Sequence, residues 1–252
     1  MSETGTSLLV RRPPQNNAEL ARRSGIVLLL DGELFDTDPL TTALGWGTDS
    51  RGSTQAELLL EAYRACGLDV FRLLHGEFAI LIWHELSGDL VLARDPLGAR
   101  PLSYGQRGGR FYVSPSPELL VESGIPGDIN RAAVAEWVLM VSLETSQTFY
   151  THVRRLSPGR VLERRRGCHS VRPYWRPDES DSPADPREAH EKFDDLLRQS
   201  VCRGLPELHA GVFLTGGVDS AAVAAVLASE SARMNLAPPL ALALRFPDVG
   251  VD

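Results

Sequence analysis

Lysine is almost missing from this sequence. Lys192 is the only one, so 25 of the 26 cationic side chains are arginine. Acids outnumber cations 33 to 26, which sets the net charge at −7 and the pI near 5.4. Such a chain lacks the basic footprint of a general nucleic-acid binder, so no nucleic-acid partner is expected. Cysteine is scarce as well. Cys66, Cys168 and Cys202 are odd in number and far apart, and they form neither a CxxC pair nor a zinc spacing. That excludes a disulfide framework and a structural metal, and predicts reduced, mostly buried thiols. No apolar run approaches the roughly 18 residues of a membrane span. Met1 to Leu20 is polar and holds no signal-peptide core. No membrane partner and a cytoplasmic location are therefore expected.

The 252 residues and 27.5 kDa suffice for one large domain or two modest ones. Residues 1–24 read as a loose segment around Arg11-Arg12-Pro13-Pro14. Gly25 to Leu30 reads as a buried strand ended by the turn pair Asp31-Gly32. Leu58, Leu59, Ala62 and Tyr63 recur at helical spacing between Gln55 and Cys66, and Gly67 is a natural stop. Hairpins follow: Phe78–Trp83 and Leu90–Ala93 flank Ser87-Gly88-Asp89, and Arg110–Ser114 follows Gly108-Gly109. Neighbouring strands on short turns predict an antiparallel sheet. Asn130 can cap a helix through Ala133, Val134, Trp137 and Val138.

The character changes near residue 176. Residues 151–176 hold eight arginines and the single acid Glu163, which reads as a solvated charged hairpin. Residues 177–187 are acidic and Pro-rich, the composition of an interdomain linker. Beyond it, Ala189, Phe193, Leu196, Leu197 and Val201 line one face of a helix. Gly211–Leu214 is a short strand, Ala221–Ala228 a helix of small residues, and Leu240–Leu244 the next strand. That order predicts parallel strands with a helical crossover, the start of a doubly wound sheet.

The sharpest signal lies between that strand and that helix: Leu214-Thr215-Gly216-Gly217-Val218-Asp219-Ser220. A turn there aims free backbone N–H groups and the positive end of a helix dipole at one spot. Gly216 and Gly217 let the backbone approach a phosphate, and Thr215 and Ser220 add hydroxyl donors. Asp219 suits such a site if Mg²⁺ shares it; otherwise it caps the helix. The segment lacks the Gly-Lys-Ser/Thr of a Walker A loop and the third glycine of a dinucleotide fingerprint. It is similar to the Ser-Gly-Gly-x-Asp-Ser pyrophosphate loop of ATP pyrophosphatases, with Thr215 in place of the first Ser.

Several further segments, taken together, resemble the asparagine synthetase family. Asp31-Gly32-Glu33-Leu34-Phe35 looks like its Asn-Gly-Glu-Ile-Tyr segment, and Glu57–Tyr63 like a helix of its glutaminase domain. Gly76–Trp83 is similar to its Gly-x-Phe-Ala-Phe-x-x-Trp strand. Leu92–Leu102 is close to its Ala-Arg-Asp-x-x-Gly-x-Arg-Pro-Leu turn. Leu156-Ser157-Pro158-Gly159 and Tyr174-Trp175 match the end of its N-terminal domain. The order and spacing agree over residues 25–252.

The resemblance implies an α/β (α+β) chain. Residues 25–176 would form an antiparallel-sheet, Ntn-hydrolase-like glutaminase domain. Residues 188–252 would hold the first β-α-β of a doubly wound ATP-binding domain. The implied cofactors are ATP and Mg²⁺, held by Leu214, Thr215, Gly216, Gly217, Val218, Asp219 and Ser220, with Leu244 beside the adenine and Asp219 toward the metal. The implied reaction adenylates a small-molecule or peptide carboxylate, releases pyrophosphate, and lets ammonia or an amine attack.

The glutaminase half departs from the family pattern. Ser2 replaces the nucleophilic Cys, and the Arg-Gly-Pro-Asp segment is not found. Asp31 stands where the glutamine-holding Asn would be, ahead of Gly32 and Glu33, and Gln55 stands where an Asp would grip the substrate amine. Loss of glutaminase activity is the expectation. The missing ammonia generator turns attention to β-lactam synthetases and lasso-peptide cyclases, which close a ring with an amine of the substrate. The family's later Ser-Gly-Glu-Gly-x-Asp-Glu loop and catalytic lysine are not found, and Lys192 precedes the loop. An incomplete or split chain, with a partner chain supplying the rest, is therefore expected. A non-catalytic pseudoenzyme or interaction module is the alternative.

Overall fold

Alternating apolar residues in the first third of the chain build its largest sheet. The structure is a computed structural model that describes residues 18–46, 53–177, 185–203 and 210–244. The chain divides into two units, residues 1–177 and 178–252.

In the first unit, β1 (Ala18–Arg23) and β2 (Ile26–Asp36) form a hairpin. Two helices follow, α1 (Asp38–Leu44) and α2 (Gln55–Cys66), and a 3-10 segment over Gly67–Leu73. Then come β3 (His75–His84), β4 (Leu90–Arg94), β5 (Ser103–Arg107) and β6 (Arg110–Ser114). The unit ends with α3 (Pro117–Glu122), α4 (Arg131–Val138), β7 (Val153–Arg155), β8 (Arg160–Arg165) and β9 (Cys168–Pro173). The order β1-β2-β3-β4-β8-β9 makes a six-stranded sheet and β6-β5-β7 a three-stranded one. Every pairing in both is antiparallel.

Period-two alternation gives the large sheet two buried faces. Leu28, Leu30, Ile80, Ile82 and Val91 share a core cluster with Leu40 of α1 and Leu59 of α2. The opposite face, with Leu81, Leu92 and Leu162, packs on Leu102 and Tyr104 around the small sheet. Helices, large sheet and small sheet therefore form successive layers.

Local chemistry explains the boundaries. Thr54 and Glu57 form a reciprocal capping box at the start of α2. Gly67 ends that helix at φ +60. Asn130 caps α4 by accepting from Ala133 N–H. Glu163 pairs with Arg165 at 2.9 Å and Arg172 at 3.3 Å, as the charged hairpin required.

Three expectations need correction. The strand does not stop at Asp31-Gly32. It runs on to Asp36, because Gly32 sits at φ +126 where a Cβ would strike Glu77 O at 1.9 Å. Only glycine lets β2 and β3 stay paired there. The loose N-terminal segment is ordered from Ala18, since Ser24 (φ 51) and Gly25 (φ 74) make the tight turn that joins β1 to β2; residues 1–17 lie outside the described residues. Cys168 is exposed on an outer strand and Cys66 and Cys202 are half-buried, so the thiols are not mostly buried.

In the second unit, α5 (Pro186–Arg203) precedes β10 (Gly211–Phe213), α6 (Val218–Arg233) and β11 (Leu240–Leu242). β10 and β11 pair in parallel, with Phe213 opposite Leu242. This is the β-α-β expected from the sequence. The 177–187 linker lies outside the described residues over 178–184. Among the described residues no helix is long and apolar enough to cross a membrane.

Candidate functional site

The 215–220 loop leaves the carboxyl end of β10 and starts α6. Leu214 N–H donates to Leu242 O at 2.8 Å, which ties the loop's base to the neighbouring strand. Leu244 lies two residues past β11 at that same end, largely exposed. In open parallel sheets, ligands bind outside the carboxyl ends of the strands.

The loop is held from within. Ser220 Oγ accepts from Thr215 N–H at 3.3 Å, lies 3.2 Å from Thr215 Oγ1, and donates to Gly217 O at 3.1 Å. Gly216 adopts φ +80, a left-handed conformation that favours glycine. A Cβ at Gly216 would meet nothing within 4 Å, and one at Gly217 only Thr215 Oγ1 at 3.6 Å. The backbone here faces open space. Gly217 is the N-cap of α6, and Val218, Asp219 and Ser220 form its first turn. Their N–H groups have no intrahelical acceptor, as at every helix start. The arrangement suits a polyanion: amide donors, two hydroxyls and a dipole end, with Asp219 in the same first turn. Among the described residues no cluster of three metal-ligating side chains occurs, so a Mg²⁺ here would need oxygens of the nucleotide as well.

Of the positions matched to the glutamine site, three lie on one strand and the fourth, Gln55, is bonded to Leu34, the residue after Glu33. Asp31, Gly32 and Glu33 lie within β2, opposite Ala79, Phe78 and Glu77. Gln55 is the first residue of α2, and its amide is held at both ends by the backbone of Leu34. Its Oε1 accepts from Leu34 N–H at 2.8 Å and its Nε2 donates to Leu34 O at 2.8 Å. The side chain completes the edge of β2 next to the register shift between Leu34 and Asp36. An aspartate could accept from Leu34 N–H but could not donate to the carbonyl.

The Arg94-Asp95 turn shows what its motif does. Arg94 donates to the carbonyls of Arg100, Leu156 and Gly98 at 2.6, 2.9 and 2.5 Å. Burial lowers its pKa from the ordinary value, and Asp95 partly offsets this. Asp95 is 1% exposed and accepts from the N–H groups of Leu97, Ala99 and Arg100. These residues tie the turn to the layers around it. In the second unit Cys202 lies 3.6 Å from Glu230, and burial and that carboxylate push its thiol pKa up. A thiol so held is a poor nucleophile.

An antiparallel layered unit is thus followed in the chain by a parallel β-α-β with a glycine turn. Residues 16–175 match the Glutamine amidotransferase domain family, and residues 192–246 match Asparagine synthase. The chain belongs to the asparagine synthase-related family of glutamine amidotransferase-domain proteins. It is similar to asparagine synthetase (glutamine-hydrolyzing) 3 of Bacillus subtilis, 27% identical over 222 residues, covering 84% of this chain and 35% of that protein. It is similar also to Amidase chry2 of Gibberella zeae, 25% identical over 232 residues, covering 88% and 33%. The chain thus spans about a third of the length of these curated relatives. Among solved structures, the glutamine phosphoribosylpyrophosphate amidotransferase of B. subtilis, complexed with ADP and GMP, aligns at TM-score 0.42 and 17% identity. It covers 94% of this chain and 50% of that one.

Proposed function

We propose that this chain carries the ATP-binding opening of an asparagine-synthetase-like, amide-forming ligase, joined to a glutaminase-like domain that no longer hydrolyses glutamine. The open Thr215–Ser220 turn at the start of α6 carries this reading. Its amides and hydroxyls would hold the β- and γ-phosphates, Asp219 would take part in holding Mg²⁺, and Leu214 and Leu244 would flank the adenine. A bound ATP would supply its adenylyl group to the carboxylate oxygen, with the Pα–O–Pβ bond breaking and pyrophosphate as the leaving group. The chain's part is to bind and orient the leaving group with donors fixed in advance.

The Gln55 clamp on Leu34 favours a second version within this reading. An uncharged amide held by the backbone gives a glutamine ammonium no anion to pair with, which favours an amine of the substrate, alongside free ammonia, as the attacking nitrogen. Attack by an amine of the substrate is the ring-closing chemistry of β-lactam synthetases and lasso-peptide cyclases. The substrate class in either version is a small-molecule or peptide carboxylate.

Calorimetric titration of the full chain with Mg-ATP tests the proposal. Saturable heat is expected, and Gly217→Arg should remove it. Gly217 has an ordinary φ of −82 and room for a Cβ, so the variant blocks the cradle without straining the loop. Absence of heat in the parent chain, or retained binding in Gly217→Arg, overturns the proposal and leaves an interaction module as the reading.

A further inference from the structure

We infer that a second anion site, for a small phosphate, lies in the first unit, in the cleft between the β5–β6 hairpin and the end of α3. The cleft has a volume of about 300 Å³ and is lined by Arg107, Gly108, Arg110, Tyr112, Ser123 and Gly124. Two arginines and a tyrosine line it and no acidic residue does, while the Ser123 hydroxyl is donated to Leu119 O at 2.7 Å.

The hairpin geometry brings the charges together. Gly108 (φ +55) and Gly109 (φ +77) make a two-residue turn, so Arg107 and Arg110 stand directly opposite each other. Like charges at directly opposed positions repel, and an anion between them removes that repulsion. Tyr112 lies two residues from Arg110 and so on the same face. Arg107 donates to Gly124 O, which anchors its guanidinium at the cleft wall and leaves other N–H groups for a ligand.

Neither arginine has a carboxylate partner among the described residues, as is true also of Arg131, Arg154, Arg155 and Arg160, but these two alone stand directly opposite each other across the turn. Two positive charges with the Tyr112 hydroxyl beside them suit a tetrahedral dianion better than a carboxylate, which offers one charge and two oxygens.

Nitrogen-15 NMR of the full chain, titrated with inorganic phosphate at constant ionic strength, tests the site. Saturable shifts are expected at the Arg107 and Arg110 Nε–H groups and at the Gly108 and Gly124 amides. Arg110→Ala should weaken binding about tenfold, the loss expected for one charged hydrogen-bonding group. Arg110 is exposed on an edge strand, so the variant leaves the core intact. Acetate should not saturate these signals. Phenyl phosphate run in parallel separates the sources: tighter binding than inorganic phosphate points to a phosphomonoester, equal or weaker binding to the free ion. No saturable shift, or an unchanged affinity in Arg110→Ala, overturns the inference. The Gly216 and Gly217 amides report on the other loop separately, so failure at one site is distinguishable from failure at the other.

Discussion

Asp95→Ala should destabilise the first unit more than any surface change. The carboxylate is 1% exposed, and its two oxygens serve the N–H groups of Leu97, Ala99 and Arg100 at 3.1, 2.9 and 3.0 Å. Alanine strands all three donors in a turn that also holds Pro158 and Gly159 close to Gly98 and Asp95. A bond to a charged group contributes about 1.5–3 kcal/mol, but donors near the surface partly rehydrate, so the total should be about 3 kcal/mol. Trp46, Trp83, Trp137 and Trp175 all lie within residues 1–177, so tryptophan fluorescence follows this unit alone. With a urea slope of about 2 kcal/mol per molar, the midpoint should fall by roughly 1.5 M. Asp95→Asn keeps one acceptor oxygen but sets an amide donor against an N–H, and should fall about half as far. A midpoint for Asp95→Ala within about 0.3 M of the parent would refute the view that this turn frames the fold.

Two other outcomes follow from the same unit. Tyr174 donates to Arg94 O at 2.7 Å, and burial, then Asp95, raises its phenol pKa above the ordinary range. The folded chain therefore holds that proton more tightly than the unfolded one. Its stability contribution is whole below about pH 10 and is lost as pH rises through the folded value. Urea midpoints should drop above pH 10, and less steeply in Tyr174→Phe. An equal drop in both would contradict this, allowing for the similar upward shifts that burial gives Tyr63 and Tyr104. A glutamine-to-glutamate assay should show no turnover above that of Ser2→Ala. Clear turnover that disappears in Ser2→Ala would restore the glutaminase reading.

Much of the architecture was legible in the residues because local signals agreed with each other. Gln55 to Cys66 had helical spacing and a terminal glycine, and the helix has those limits. The strand-turn-helix at 211–233 was marked by its apolar triplet, paired glycines and small-residue helix. What stayed hidden depended on contacts distant in sequence. Asp31-Gly32 has the composition of a turn, and only the approach of Glu77 O shows why the glycine serves a strand instead. Gln55 looked like a lost substrate contact, and its bond to Leu34, 21 residues away, carries no local pattern. The opposed Arg107–Arg110 pair arises from strand register, which composition alone does not fix.

Hydrogen exchange of the full chain with and without Mg-ATP probes the nucleotide cradle most directly. Slowed exchange confined to the peptide covering 211–221 is the predicted result, and it should be missing in Gly217→Arg. Unchanged exchange across that peptide at saturating Mg-ATP would contradict the account.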